Sequence, residues 1–155
     1  MAIRFVAMSS DVAEAYRAGA ADANGQCSER RTADTPGRPC RHCLGFIEPG
    51  EDYLLLAYRP FPEPQPYAET GPIFLHARHC QRGGAVGQLP TFLDSPTYLV
   101  RGYGPDHRIV SGSGGVIPTA QITQRADNLL ASYTVSYVHV RSASNNCYHC
   151  RIERA

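Results

Sequence analysis

The stretch Cys40-Arg41-His42-Cys43-Leu44-Gly45 has the form C-x2-C-x-G. In zinc knuckles this form is a tight turn, in which the glycine lets backbone amides face the two sulfurs and helps the thiolates stay ionised beside a metal. A second pair of soft ligands, His76 and Cys80, follows with a spacing of four positions at the end of an apolar run. Such a pair can converge on one tetrahedral ion. The sequence therefore predicts a zinc site with the ligands Cys40, Cys43, His76 and Cys80.

The fourth ligand and the metal itself each have an alternative. His79 competes with His76, since both histidines closely precede Cys80. The cysteines could instead be buried free thiols, because free cysteine is among the most buried residue types. If zinc binds, four protein ligands fill its tetrahedral positions and leave none for water or substrate. The zinc would then be structural, and catalysis at the metal is not expected.

The composition describes a chain of about one domain. Its 155 residues can form one hydrophobic core, so we predict one globular domain over residues 1–155, with a zinc-type subregion at 40–80. The 15 basic and 14 acidic residues nearly cancel, so no nucleic-acid partner is expected. All the basic residues are arginine, and the absence of lysine excludes Schiff-base chemistry and the Gly-Lys-Ser phosphate loop.

The N-terminal residues 1–10 contain one arginine and only a short apolar stretch. This is too little for a secretory signal or a membrane span, so we expect a cytoplasmic protein without a membrane partner. In that reducing compartment, metal binding, catalysis or burial accounts for the six cysteines better than a disulfide framework does.

Hydrophobic periodicity predicts an α+β fold with a mostly antiparallel sheet, two main helices and a long proline-rich arm. The first helix is expected to be capped by Ser10 or Asp11, to carry Val12 on its apolar face and to stop at Gly25, and the second begins near Pro118. The polar residues 26–39 are predicted to form an exposed loop. Strands are expected at 3–7, 53–58, 73–76, 98–103, 108–112, 134–140 and 147–153, the last two forming a C-terminal hairpin over 134–154.

Prolines occupy every second position from Pro60 to Pro66. They remove backbone donors and fix φ, so residues 60–69 are predicted to form an extended polyproline-like arm. Such an arm loses little chain entropy on docking and is a candidate contact for a protein partner. An exposed apolar patch around Phe61 and Tyr67 would favour this function.

The stretch Cys147-Tyr148-His149-Cys150 repeats the C-x2-C form near the C-terminus. A strand places these two cysteines on opposite faces and about 10 Å apart along the chain, too far to share a metal or a disulfide. No helix is expected after them to support a thioredoxin-like redox pair. The two thiols are therefore expected to act separately, and Cys27 is expected to be incidental in a polar loop.

The predicted C-terminal hairpin also carries residues suited to an anion. His139 and Arg141 share one strand face, and Arg101, Tyr103 and Cys147 are candidates to line a cleft beside them. The arginines would orient a small anionic ligand and His139 would act as acid or base, so a small-molecule enzyme or anion-binding protein is the alternative function. The competing interpretation is that the arginines form cross-strand ion pairs on a solvated face.

Four blocks of the chain carry a family resemblance, namely Pro39-Cys40-Arg41-His42-Cys43-Leu44, Gly71-Pro72-Ile73-Phe74-Leu75-His76, Leu99-Val100-Arg101-Gly102-Tyr103, and His139-Val140-Arg141 with Asn146-Cys147 and Arg151-Ile152-Glu153-Arg154. Together they resemble the bacterial domain of unknown function 1203 family over nearly the whole chain. This resemblance implies an architecture without an activity. Residues 40–80 alone are similar to treble-clef zinc fingers, with three rather than the usual two residues between the last two ligands. The main hypothesis is therefore a small zinc-stabilised binding module that is not an enzyme.

Overall fold

The structure of the chain, a computed structural model, describes residues 2–155. The two α-helices of this range are α1 (Ser10–Arg17) and α2 (Ile122–Leu130), and a 3₁₀ turn (Thr119–Gln121) leads directly into α2. Neither helix has the length and hydropathy needed to cross a membrane. The strands are β1 (Ile3–Val6), β2 (Glu29–Thr32), β3 (Arg38–Pro39), β4 (Phe46–Ile47), β5 (Asp52–Tyr58), β6 (Gly71–His76), β7 (Gly84–Val86), β8 (Thr97–Tyr103), β9 (Gly115–Pro118), β10 (Tyr137–Ser142) and β11 (Tyr148–Arg154). The predicted α+β class, with mostly antiparallel sheet and two helices, is confirmed.

The large sheet is built around the C-terminal hairpin, β10 and β11. Its strand order is β7-β1-β11-β10-β8-β9, and each neighbouring pair is antiparallel. Side chains alternate along β10, so Val138 and Val140 enter the main core, where Ile122 and Ala126 of α2 also pack. The odd-numbered residues of β10 lie on the opposite face and are buried too. Both faces of this strand are therefore covered.

A smaller sheet has the order β2-β5-β6, with β5 in the centre as the apolar run at 53–58 predicts. Leu56 of β5 and Ile73 and Leu75 of β6 are buried in a second core. Cys40 joins this core and forms a parallel bridge with Phe74 of β6. The predicted zinc-type subregion thus lies against the small sheet.

Helix α1 is shorter than its sequence pattern predicts. It ends at Arg17, because Gly19 takes a left-handed conformation with φ +101° two residues later and stops the helix before Gly25. Its N-cap is Ser9, whose side chain accepts a hydrogen bond from the Val12 amide, and the predicted caps Ser10 and Asp11 lie inside the helix. Val12 is 38 % exposed, so the predicted apolar face was wrong at this position.

Two other local predictions were wrong. Residues 26–39 include β2, which pairs with β5 as an edge strand and keeps its own side chains exposed, so its polar sequence resembles a loop. The strand that returns to β8 is Gly115–Pro118, whereas 108–112 contributes only an isolated bridge between Tyr103 and Ile109. Pairing with a neighbouring strand, which periodicity does not report, decides both cases.

The proline-rich segment 60–69 contains no helix or strand and crosses the outer face of β8 and β10. Phe61 is buried in a small cluster with Tyr103 and Tyr137. Tyr67 is partly exposed. The apolar patch expected around Phe61 and Tyr67 is therefore not present, because the ring of Phe61 packs inward.

Gly83 packs closely against the backbone of the C-x2-C turn. A Cβ at this position would stand 2.1 Å from the carbonyl oxygen of Cys43. Since the obstacle is backbone, we expect Gly83→Ala to lower the free energy of unfolding by about 1–3 kcal/mol in urea denaturation. Gly71→Ala is the matched control, because a Cβ there meets nothing within 4 Å, and it should change stability by less than about 0.5 kcal/mol. Equal losses in the two variants would contradict this assignment.

Candidate metal centre

The C-x2-C turn connects the two short strands β3 and β4. The amide of Cys40 donates to the carbonyl of Gly45, and the amide of Leu44 donates to the carbonyl of Cys40. Leu44 is the left-handed residue of the turn, with φ +58°. The amides of Cys43 and Gly45 face the sulfurs of Cys40 and Cys43, as expected for a knuckle.

The second pair of ligands reaches this turn through β6. His76 is the last residue of β6, and Cys80 lies just after the bend that follows. The amide of Arg41 donates to the carbonyl of Phe74 at 3.1 Å, beside the Cys40–Phe74 bridge. Backbone pairing therefore sets the C-x2-C turn directly against the end of β6.

The ligand atoms of Cys40, Cys43, His76 and Cys80 all lie within 4.8 Å of one another. The sulfurs of Cys40 and Cys80 are 4.0 Å apart, and Cys43 Sγ lies 3.6 Å from His76 Nδ1. Tetrahedral zinc, with bonds of about 2.3 Å to sulfur and about 2.0 Å to nitrogen, requires separations of about 3.8 Å and about 3.5 Å. The four side chains are close enough together to hold one metal ion.

Burial decides between the two candidate histidines. His76 is buried beside the thiols, whereas the side chain of His79 is 78 % exposed and its Nδ1 lies 3.0 Å from Glu14 Oε1. His76 is therefore the fourth member of the cluster. Among the four, Cys43 alone is partly exposed, and it lines a surface cavity of about 300 Å³ that gives the cluster an entry path.

The pKa values of the cluster are shifted by the contacts among its own side chains. Hydrogen bonds from Cys43 and then Cys80 hold the pKa of the Cys40 thiol below its ordinary range. The reciprocal contact with Cys40, followed by that with Cys80, raises the pKa of Cys43. Hydrogen bonds to Cys40 and Cys80 raise the pKa of His76 to about 10. The sulfurs and the imidazole thus share protons in positions that a metal ion would take over.

Three residues that the sequence analysis did not identify contact the cluster from outside. Arg17 Nη2 donates to Cys80 Sγ at 3.1 Å. His42 places Nδ1 3.1 Å from the same sulfur and Nε2 2.9 Å from Ser10 Oγ. Glu51 Oε1 lies 3.4 Å from His76 Nε2, the arrangement by which a carboxylate orients a ligating histidine. Only His42 carried a signal, since it lies inside the C-x2-C stretch.

Arg41, the other residue inside the C-x2-C turn, connects it to the large sheet. The guanidinium is buried and donates from Nε to the Tyr148 carbonyl at 2.7 Å and from Nη1 to the Pro39 carbonyl at 2.8 Å. Burial lowers the pKa of Arg41 to about 10, so the group stays charged at neutral pH. The turn is thereby fastened to β11 as well as to β6.

The residues predicted to bind an anion meet on the outer face of the large sheet, with one exception. His139 lies opposite Arg101, and Arg141 follows on the same face of β10. Arg101 and Arg141 both bind the carboxylate of Glu69, to which the Tyr103 hydroxyl also donates at 3.1 Å. At this face both arginines are bound to Glu69, whose carboxylate stands where the predicted anionic ligand would bind.

Cys147 does not join that group, and its sulfur lies 3.8 Å from the Asn145 carbonyl in the hairpin turn. Cys150 is fully buried in the main core, so the two thiols have separate environments, as the strand interpretation predicts. Both are free, as is the exposed Cys27, which lines a surface cavity of about 460 Å³ away from the cluster.

The arginines near the C-terminus are only in part the solvated ion pairs of the competing interpretation. Arg151 forms a partly exposed ion pair with Glu153 at 2.9 Å, but both residues lie on β11, so this pair is not a cross-strand one. Arg154 instead donates to backbone carbonyls, among them that of Val135. The side chain of Arg141 is 4 % exposed and faces the proline-rich segment.

Comparison with known proteins gives one finding. A family model described as protein of unknown function (DUF1203) matches residues 37–154, a range that includes all four members of the cluster. Searches of curated proteins and of solved structures give no significant match. The family resemblance read from the four sequence blocks is confirmed.

The choice of His76 over His79 can be tested with Co²⁺, whose thiolate complexes absorb strongly. We expect His76→Ala to weaken Co²⁺ binding by more than the roughly 10–100-fold that loss of an outer hydrogen bond costs. His79→Ala should bind as the wild type does, because His79 contacts Glu14 and no ligand. An unchanged titration for His76→Ala would exclude this histidine from the site.

Proposed function

Because the chain belongs to the DUF1203 family of proteins of unknown function, we propose its role from the cluster itself: Cys40, Cys43, His76 and Cys80 hold a structural Zn²⁺ that stabilises a small binding module. The observation that carries this proposal is the convergence of three sulfurs and one imidazole nitrogen within 4.8 Å. The family description supplies no activity that would assign the site another task.

The donor set favours zinc among the biological cations. Three thiolates and one imidazole are soft or borderline ligands, whereas Mg²⁺ and Ca²⁺ require oxygen ligands. The Cys40–Cys80 and Cys43–His76 separations are close to those that tetrahedral coordination requires. Four protein ligands leave no open position for water or substrate, so the ion would stabilise the fold and supply no chemistry.

The position of the cluster explains what the ion would stabilise. It would join the C-x2-C turn to the end of β6, and through Arg41 the turn reaches β11 of the large sheet. His42 and Arg17 add contacts from the turn and the cluster to α1. Without the metal, the thiols would be held by weak hydrogen bonds among themselves and by the contacts of Arg17 and His42 with Cys80.

A cytoplasmic location and a protein partner complete the proposal. Free thiols at all six cysteines suit a reducing compartment. We propose that a protein partner contacts the proline-rich segment 60–69. Pro62, Pro64 and Pro66 of this segment are exposed, and such segments lose little entropy on docking.

Metal content tests the proposal directly. We expect purified protein to contain about one zinc per chain, and Cys40→Ser to contain almost none. Cys27→Ser is the matched control, since Cys27 is an exposed free thiol outside the cluster, and its zinc content should equal that of the wild type.

Thermal denaturation gives an independent measure. Removal of zinc by a chelator should lower the free energy of unfolding by about 4 kcal/mol when free zinc otherwise stands about 1,000-fold above its Kd. Cys40→Ser should melt at the lower temperature with or without chelator. A metal-free wild type that melts at the same temperature before and after added zinc would remove the proposal.

A further inference from the structure

The carboxylate of Glu69 occupies a built anion site. Arg101 and Arg141 bind its two oxygens from neighbouring strands, and the Tyr103 hydroxyl donates to one of them at 3.1 Å. The Arg141 side chain is 4 % exposed, so its interaction with the carboxylate is shielded from water. Two arginines around one carboxylate are the arrangement by which proteins recognise planar anions.

The same segment supplies an aromatic ring beside that carboxylate. The ring of Phe61 lies 5.1 Å from that of Tyr103 and 5.2 Å from that of His139, measured between centroids. Phe61 therefore covers the ring of Tyr103 while Glu69 accepts from the hydroxyl of the same tyrosine. A carboxylate and a phenyl ring are thus seated side by side on one surface.

The face beneath segment 60–69 has polar atoms that form no hydrogen bond with the segment. His139 Nδ1 and Arg141 Nε are buried and have no hydrogen-bond partner among the described residues. Burial, followed by the charge of Arg141, lowers the pKa of His139 well below its ordinary value, so the ring is neutral. Buried polar groups without partners are costly in a structure that serves only its own stability.

Segment 60–69 is attached to the sheet by a few side-chain contacts and not by strand pairing. Residues 60–69 form no strand, so their departure breaks no sheet ladder. Beyond Phe61 and Glu69, Gln65 donates to the His107 carbonyl at 2.8 Å, and a cleft of about 290 Å³ separates the segment from the turn that contains His107. Segments with so few backbone contacts open at lower cost than the core.

We propose that Arg101, Tyr103, His139 and Arg141 form a binding site for a small aromatic carboxylate, and that Phe61 and Glu69 occupy this site in the absence of the ligand. The ligand's carboxylate replaces that of Glu69 and its ring replaces that of Phe61. Segment 60–69 is then released. This site is separate from the proposed zinc cluster and does not depend on it.

Competition by Glu69 determines the expected affinities. The apparent affinity of the wild type for the ligand is low because the segment is open, and the site free, in only a small fraction of the molecules. Glu69→Gln removes the competing charge and keeps the shape, so it should bind 3-phenylpropionate at least about tenfold more tightly than the wild type in calorimetric titration. Glu63→Gln removes an exposed charge from the same segment and should bind as the wild type does.

Two further probes separate this site from a plain ion pair. 3-Phenylpropionamide lacks the charge and should not bind, and acetate lacks the ring and should bind Glu69→Gln more weakly than 3-phenylpropionate. In the wild type, saturating 3-phenylpropionate should speed hydrogen exchange at the amides of residue 65 and residues 67–69, whereas a ligand bound elsewhere would leave them unchanged or protect them.

Each contrary result overturns the proposal. These results are equal affinity of Glu69→Gln and wild type for 3-phenylpropionate, equal binding of the amide and the acid, and binding of acetate to Glu69→Gln as tight as that of 3-phenylpropionate. If Glu69→Gln does not fold, the exchange measurement on the wild type decides, and unchanged exchange at residues 65–69 excludes the site.

Discussion

The parallel bridge between Cys40 and Phe74 is the contact that sets the C-x2-C turn against the small sheet, and the geometry of the cluster depends on it. It is a single backbone pairing, reinforced by the hydrogen bond from the Arg41 amide to the Phe74 carbonyl. Because His76 lies two residues beyond Phe74, this pairing sets the distance between the two halves of the cluster. Side-chain chemistry can then bring four ligand atoms within 4.8 Å.

Arg41 and His42, the two residues between Cys40 and Cys43, connect the C-x2-C turn to parts of the chain outside the small sheet. Arg41 binds the backbone of β11, and His42 lies between Cys80 and Ser10 of α1. Both side chains are buried, and buried polar groups of this kind need fully formed partners. A metal at the cluster would therefore hold the turn from which these long-range contacts start.

The two groups of functional side chains satisfy their charge in different ways. Hydrogen bonds among the thiols lower the pKa of Cys40 and raise that of Cys43, and a bound cation would stabilise both as thiolates. On the outer face of the large sheet, the positive charges of Arg101 and Arg141 are paired with the carboxylate of Glu69 from the same chain. Since Glu69 lies 32 positions from Arg101 and 72 from Arg141, only the path of the proline-rich segment brings it there.

The sequence alone determined the features that rest on local spacing. These are the three cysteines of the candidate metal cluster, Cys40, Cys43 and Cys80, most of the strands that alternate or run apolar, the C-terminal hairpin, and the α2 face that contains Ile122. Tertiary structure decided His76 over His79, the early end of α1, the edge strand β2, and the partner of Arg101 and Arg141. The physical reason is that periodicity and ligand spacing report one element at a time, whereas strand pairing and burial depend on which distant residues meet.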